Sequence, residues 1–141
     1  MKSMQVIEQE IVEDFNLFEG WEEKYQYIIE LGQKLPALDA RYKTDAYKIK
    51  GCQSSVWLHG EEKEGRLYFS ADSDSTFVKG EIALLMQVLS GQLAEDILNS
   101  RLDFIDAIGL RQHIAVTRAN GLASMIKQMK TYALAAANIQ K

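Results

Sequence analysis

The chain has 141 residues, 47% of them hydrophobic and 26% charged, with a formal net charge of −4. That length suits one domain spanning residues 1–141 with a core of its own, and the mix is that of an ordinary soluble protein. The acidic balance and the lack of any Lys/Arg block argue against nucleic acid as a partner, and no segment approaches the roughly 18 apolar residues of a membrane helix.

Cys52 is the only cysteine. One thiol excludes an internal disulfide, a zinc site built on paired thiolates, and a cluster held by this chain's cysteines alone. His59 and His113 lie far apart in sequence, and nothing supports a metal site. The first residues, MKSMQVIEQE, lack the apolar run of a signal peptide. The expected location is a reducing, cytoplasmic one, where a free thiol persists.

In chain order, Ile7, Ile11, Phe15 and Phe18 recur at helical steps and predict a helix over 4–18, capped by Ser3 and stopped at Gly20. Trp21, Tyr25, Ile28 and Leu35 share the stripe of a second helix over about 21–35, ended by Pro36. Residues 36–48 read as an irregular connection, long enough to be functional or mobile. SSVWLHGEEKEGRLYFSA then predicts a hairpin. Its strands are Val56-Trp57-Leu58 and Leu67-Tyr68-Phe69, its turn Glu61 to Gly65, and Leu67, Phe69 and Ala71 point to one buried face. ADSDST offers capping chemistry for a third helix over about 75–90, with Val78, Ile82, Leu85, Met86 and Leu89 inward. Short helical pieces are expected at 92–99 and 103–114. A last helix runs from near Thr117 to about 137, with Leu122, Met125, Ile126, Met129 and Ala133 inward. The order predicts an α+β fold, a small antiparallel sheet (the hairpin, with a third strand allowed for) packed against several helices.

Two places break local rules. In KGCQSS, Gly51 permits a positive φ or a close backbone approach, which puts Cys52 on the turn into a strand. A packed, inert cysteine is one reading; the turn glycine and the polar residues that follow favour an accessible thiol. In TRANGL, with Thr117 as cap, Arg118 opposes the helix dipole in the first turn and Gly121 costs about 1 kcal/mol relative to alanine. An anion beside the helix start would account for Arg118, and a group passing close for Gly121. An ordinary surface arginine paired with a carboxylate is the simpler account on sequence alone. The two places could form one site, in which a helix N-terminus and a guanidinium stabilise a thiolate.

Other candidates are weaker. Asp72 and Asp74 could pair, but ADSDS before a helix more often caps it. Ser54 and Ser55 lack the G-x-S-x-G setting of a hydrolase nucleophile. His59 and His113 read as structural or exposed.

Four segments in order resemble the SufE family of sulfur-acceptor proteins. They are WEEKYQYIIELGQKLP (21–36), GCQSSVWL (51–58), SADSDSTFVKGEIALL (70–85) and RANGL (118–122), of which the G-C-Q-S-x-V-W core is the most specific. The chain departs from the family in DSDST, where alanine more often follows SD. The resemblance implies an α+β fold related to that of the IscU cluster scaffolds. Those scaffolds need several cysteines, so a chain with one should carry sulfur, not hold a cluster.

It also implies a function. A SufS/CsdA-like, PLP-dependent cysteine desulfurase would hand persulfide sulfur to Cys52 and turn over faster for it, and the sulfur would pass to a SufBCD-like Fe–S scaffold. PLP belongs to the desulfurase, and no cofactor is expected on this chain. By motif position Cys52 is the acceptor and Arg118 stabilises its thiolate or persulfide. Gly51, Gln53 and Ser54 form the acceptor loop, with Asp72, Asp74 and Gly121 in support. Shelter for the sulfur conflicts with access to a partner, so the 49–54 loop is expected to swing outward on docking. Competing readings are a non-catalytic adaptor and a cysteine hydrolase, the latter short of a base. The sequence identifies no interface; a homodimer is one arrangement it permits.

Overall fold

The structure is a computed structural model that describes residues 2–114 and 116–140. Helix α1 (Met4–Asn16) starts where Ser3 Oγ accepts from the Val6 N–H, as its sequence suggests, and buries Ile11 and Phe15. Helix α2 (Trp21–Gln33) follows Gly20 and carries Glu22 and Glu23 in its first turn, where the helix dipole favours acids. Both helices end two residues before the expected points, Phe18 and Leu35. Phe15 and Phe18 meet Tyr27 edge-on or tilted, with centroids 5.3 and 5.0 Å away, and this fastens the two helices together.

The connection after Pro36 is not shapeless. It contains two 3-10 turns, Ala40–Tyr42 and Asp45–Tyr47, that lie on the first strand. Tyr42 stacks on His59 with centroids 3.8 Å apart, and Tyr47 meets the same ring edge-on. His59 is therefore a structural ring on the sheet.

Strands β1 (Val56–Lys63) and β2 (Arg66–Ser73) form an antiparallel pair in which Val56 faces Ser73 and Lys63 faces Arg66. The turn is tighter than expected. Glu61, Glu62 and Lys63 pair with Tyr68, Leu67 and Arg66, so only Glu64 and Gly65 connect the strands. Both have positive φ, 53° and 83°, the two-residue turn whose twist matches the strands. The alternation in β2 is as expected: Leu67, Phe69 and Ala71 are buried and Tyr68 is exposed. No third strand forms among the described residues. Single bridges replace it on either side, Lys48 with Trp57 and Arg66 with Leu93.

Helix α3 (Thr76–Leu89) runs through the core. Its buried side chains include Phe77, Ile82, Leu85 and Leu89. It lies against α2 at a glycine pair: a Cβ on Gly32 would sit 2.6 Å from the Gly80 nitrogen, and one on Gly80 would overlap the Ile28 carbonyl. Short helices α4 (Ala94–Leu98), α5 (Phe104–Ala107) and α6 (Leu110–His113) follow, and His113 stacks on Trp21. Helix α7 (Val116–Gln140) closes the molecule, with Leu122, Met125, Met129 and Ala133 buried as expected. Helix α7 begins at Val116, so Thr117, the expected cap, lies within it; its side chain and the preceding Ala115 are outside the described residues. Among the described residues no helix is long and apolar enough to cross a membrane.

Candidate functional site

Gly51 turns the chain out of the 3-10 segment with φ +89°, and a Cβ there would meet Ser124 Oγ of α7 at 2.7 Å. Both accounts of this glycine, left-handed backbone and close approach, apply. The turn delivers Cys52 onto α7. Its thiol donates to the Gly121 carbonyl at 3.7 Å, and a Cβ on Gly121 would lie 3.7 Å from the sulfur. The group passing close to Gly121 is therefore Cys52 itself.

A cavity of about 130 Å³ opens here. Cys52, Gln53 and Ser54 line it from the loop, Arg118 and Gly121 from α7, and Glu81 from α3, with Val78 and Met125 as apolar wall. The two segments that break local rules thus meet in one place. Cys52 is half-buried and Gln53 exposed.

The expected supporting aspartates do not line the cavity. Asp74 Oδ1 accepts from the Ser55 N–H at 3.0 Å, and the Asp74 N–H donates to the Ser55 carbonyl at 3.2 Å. Ser73 Oγ donates to that same carbonyl at 2.7 Å. These bonds latch the loop's exit to the end of β2. Asp72 faces elsewhere and bridges Lys43 at 3.0 Å and Lys79 at 3.4 Å. Burial works against its charge, but the bond from Lys43, the Ser73 N–H, and the charges of Lys79 and Lys43 outweigh it and hold the carboxyl below the usual aspartate range. Neither aspartate caps α3. Ser75 does, accepting from the Val78 N–H at 3.3 Å. The two carboxylates have separate partners and do not form a pair.

Burial first, and the Glu81 carboxyl second, push the Cys52 thiol above its ordinary range. In the resting site both effects favour the neutral thiol. Arg118, exposed at the start of α7 with its guanidinium carbon 5.1 Å from the Phe77 ring centroid, acts on Glu81 instead. Burial, partly offset by the charge of Arg118, raises the Glu81 carboxyl to about 8.

Glu81 is the residue that sequence reasoning missed. It is 1% exposed and neither carboxyl oxygen has a hydrogen-bond partner. Its signal is positional: three residues after Val78 and four before Leu85, it falls inside the apolar stripe of α3, where a carboxylate is out of place. Among the described residues no group of three or more His, Cys, Asp or Glu side chains is arranged to hold a metal ion.

Comparison with known proteins places this architecture. A solved structure of a hypothetical protein from Thermus thermophilus matches with a TM-score of 0.77 at 19% identity, covering 94% of this chain and 96% of that one; it shows the fold. An uncharacterised SufE-like protein from Rhizobium meliloti (strain 1021) is 38% identical over 129 residues, 88% of this chain and 92% of its own. One from Synechocystis sp. is 35% identical over 125 residues, 89% of this chain and 79% of its own. The SufE-like protein 1, chloroplastic/mitochondrial, of Arabidopsis thaliana is 39% identical over 127 residues, 89% of this chain but 34% of that longer protein. The family model described as SufE, Fe–S metabolism associated domain, matches residues 9–133, and the chain belongs to the SufE family.

Proposed function

We propose that this protein is a covalent sulfur carrier. Cys52 accepts persulfide sulfur from a PLP-dependent cysteine desulfurase, the protein raises that enzyme's turnover, and the sulfur passes to Fe–S cluster assembly. Membership of a family associated with Fe–S metabolism supports the setting. The observation that carries the reading is the position of Cys52, a lone thiol seated in a small cavity rimmed by a guanidinium. A reducing compartment suits a carrier of this kind, since its thiol must stay free between cycles.

The geometry suits storage. A cavity of about 130 Å³ exceeds the share of a water molecule, about 30 Å³, several-fold. One added sulfur fits without displacing the walls. Burial keeps the thiol protonated, hence unreactive toward stray electrophiles. Delivery needs the opposite. When the 49–54 loop swings outward about Gly51, Cys52 leaves both the apolar wall and Glu81, the two causes that hold its proton on. Exposure and activation then coincide. The freed thiolate attacks the terminal sulfur of the donor persulfide in line, and the donor's own thiolate leaves.

The test is to incubate the protein with a desulfurase, PLP and cysteine and to weigh it. A gain of one sulfur atom on Cys52, absent in Cys52→Ser, is expected. No gain at Cys52, or a Cys52→Ser variant that activates the desulfurase and supports sulfur delivery as well as wild type, overturns the carrier reading in favour of an adaptor.

A further inference from the structure

Glu81 is a buried carboxyl without a hydrogen-bond partner, a group that a core retains only at a cost. It shares the cavity with the sole thiol and with Arg118. Two anions sharing so small a cavity, one of them a fully buried carboxyl, cannot both be charged at ordinary cost. We propose that Glu81 and Cys52 share a single negative charge in this cavity, with Arg118 as its counter-charge: Glu81 holds a proton whenever the Cys52 sulfur is anionic, and Cys52 is a neutral thiol whenever Glu81 is ionised.

The elements packed most extensively against α3 are α1, α2, β2 and α7, and among the described residues Arg118 is the charge that acts on Glu81. The buried residues of α1 are Ile11 and Phe15. From α2, Tyr25 stacks on Phe77. From β2, Asp72 is engaged by Lys43 and Lys79. From α7, Arg118 is the charge that acts on Glu81, and from the loop Glu81 is the charge that acts on Cys52. The groups therefore titrate as a coupled pair. Burial, partly offset by Arg118, puts the carboxyl near 8, so at neutral pH it is mostly protonated and the cavity is free to take an anionic sulfur.

This deepens the carrier reading and draws its purpose from it. In the transfer step the Cys52 thiol, swung clear of the cavity, gives its proton to solvent. The thiolate forms a new S–S bond with the donor's terminal sulfur, which keeps its hydrogen. The donor's S–S bond breaks, and its electron pair leaves on the donor thiolate, which recovers a proton from solvent. No external oxidant or reductant enters. A persulfide is a stronger acid than its parent thiol, so the loaded sulfur is the more anionic, and a protonated Glu81 is what makes room for that charge. Glu81 acts through the sulfur's charge and is a positioning residue.

The test is the pH dependence of Cys52 alkylation by iodoacetamide in wild type and Glu81→Gln, with circular dichroism as the check on folding. With Glu81 protonated the two proteins present the same neutral neighbour, so their rates should coincide below neutral pH. Above about 8, where Glu81 ionises, the wild-type rate should level off before rising again, and the variant should climb through one ionisation and run several-fold faster. Superimposable profiles, or a difference that is the same at every pH, would overturn the proposal. A second measurement stands if Glu81→Gln fails to fold: the carbon-13 carboxyl titration of Glu81 in Cys52→Asp against Cys52→Asn. Glu81 should titrate higher beside the fixed charge, and equal values overturn the proposal. Neither measurement uses a sulfur donor. Failure of the mass test with a two-step profile therefore sinks the carrier and leaves the shared charge; the reverse outcome sinks the shared charge alone.

Discussion

The Cys52 thiol rests on the Gly121 carbonyl at 3.7 Å, a contact that spans 69 residues of sequence. It joins the loop before β1 to the second turn of α7, where any side chain larger than that of alanine would reach the sulfur. The sulfur lies against bare backbone.

Substitutions at Gly121 should therefore grade by size. A Cβ at this position makes ordinary contact with the sulfur, 3.7 Å away. Gly121→Ala should leave alkylation of Cys52 nearly unchanged and stabilise the helix by up to about 1 kcal/mol. Gly121→Val adds methyl groups where the sulfur sits. It should displace the thiol into solvent and speed alkylation several-fold, with little gain in thermal stability. Equal alkylation rates in the two variants would show that the sulfur is not seated on this carbonyl.

Gly51 is held by two constraints that a pair of variants can separate. Its φ of +89° disfavours any side chain, and Ser124 Oγ fills the space a Cβ would take. Gly51→Ala should destabilise the protein by about 1–3 kcal/mol and weaken hydrogen-exchange protection across residues 49–55. Adding Ser124→Ala removes the contact but not the backbone strain, so recovery in chemical denaturation should be partial. Full recovery would assign the whole effect to the contact, and none would assign it to the backbone.

The Asp74–Ser55 latch sets how tightly the loop is shut. Asp74→Ala keeps the backbone bond from the Asp74 N–H and loses the carboxylate that accepts from Ser55. The loss should cost about 1 kcal/mol, the ordinary net worth of such a bond. It should show locally, as faster exchange over 49–55 and faster Cys52 alkylation, with the helices unaffected. Asp72→Ala serves as the contrast. It breaks the bridges to Lys43 and Lys79 and should leave the exchange of Ser55 unchanged.

Much of this is legible in the sequence where one local signal acts alone. Ser3 and Ser75 announce their helices, and the steps through Leu122, Met125 and Met129 give the buried face of α7. Gly51 and Gly121 are readable as exceptions because nothing local rewards glycine there. The hairpin turn misleads because Glu61, Glu62 and Lys63 carry turn-like side chains. Pairing with Tyr68, Leu67 and Arg66 overrides that preference and holds them in the strand. The ring of His59 finds Tyr42 from a separate segment of chain, a partnership no periodicity encodes. The thiol's electrostatic setting is hidden from the sequence for the same reason. Arg118 can be placed beside an anion from the sequence, but which anion depends on how α3 packs, and Glu81 intervenes.

Burial of Glu81 should make stability depend on pH in a set direction. Its carboxyl is raised from an ordinary 4.5 to about 8 in the folded protein, so between those values the native state binds the proton that the unfolded chain has released. Stability then falls as pH rises through this window. The contribution is full below the unfolded value and gone above the folded one. Its total is on the order of a few kcal/mol, since each tenfold difference in proton affinity between the two states is worth about 1.4 kcal/mol. Glu81→Gln removes the ionisation. The variant and the wild type should unfold at similar temperatures in mild acid and diverge with rising pH, with the variant the more stable at alkaline pH. Arg118→Gln should carry the decline on to higher pH, since the guanidinium is what lowers the cost of ionising the carboxyl. A melting-temperature gap between Glu81→Gln and wild type that stays flat across the window would mean that Glu81 ionises in the folded protein as easily as in the unfolded chain.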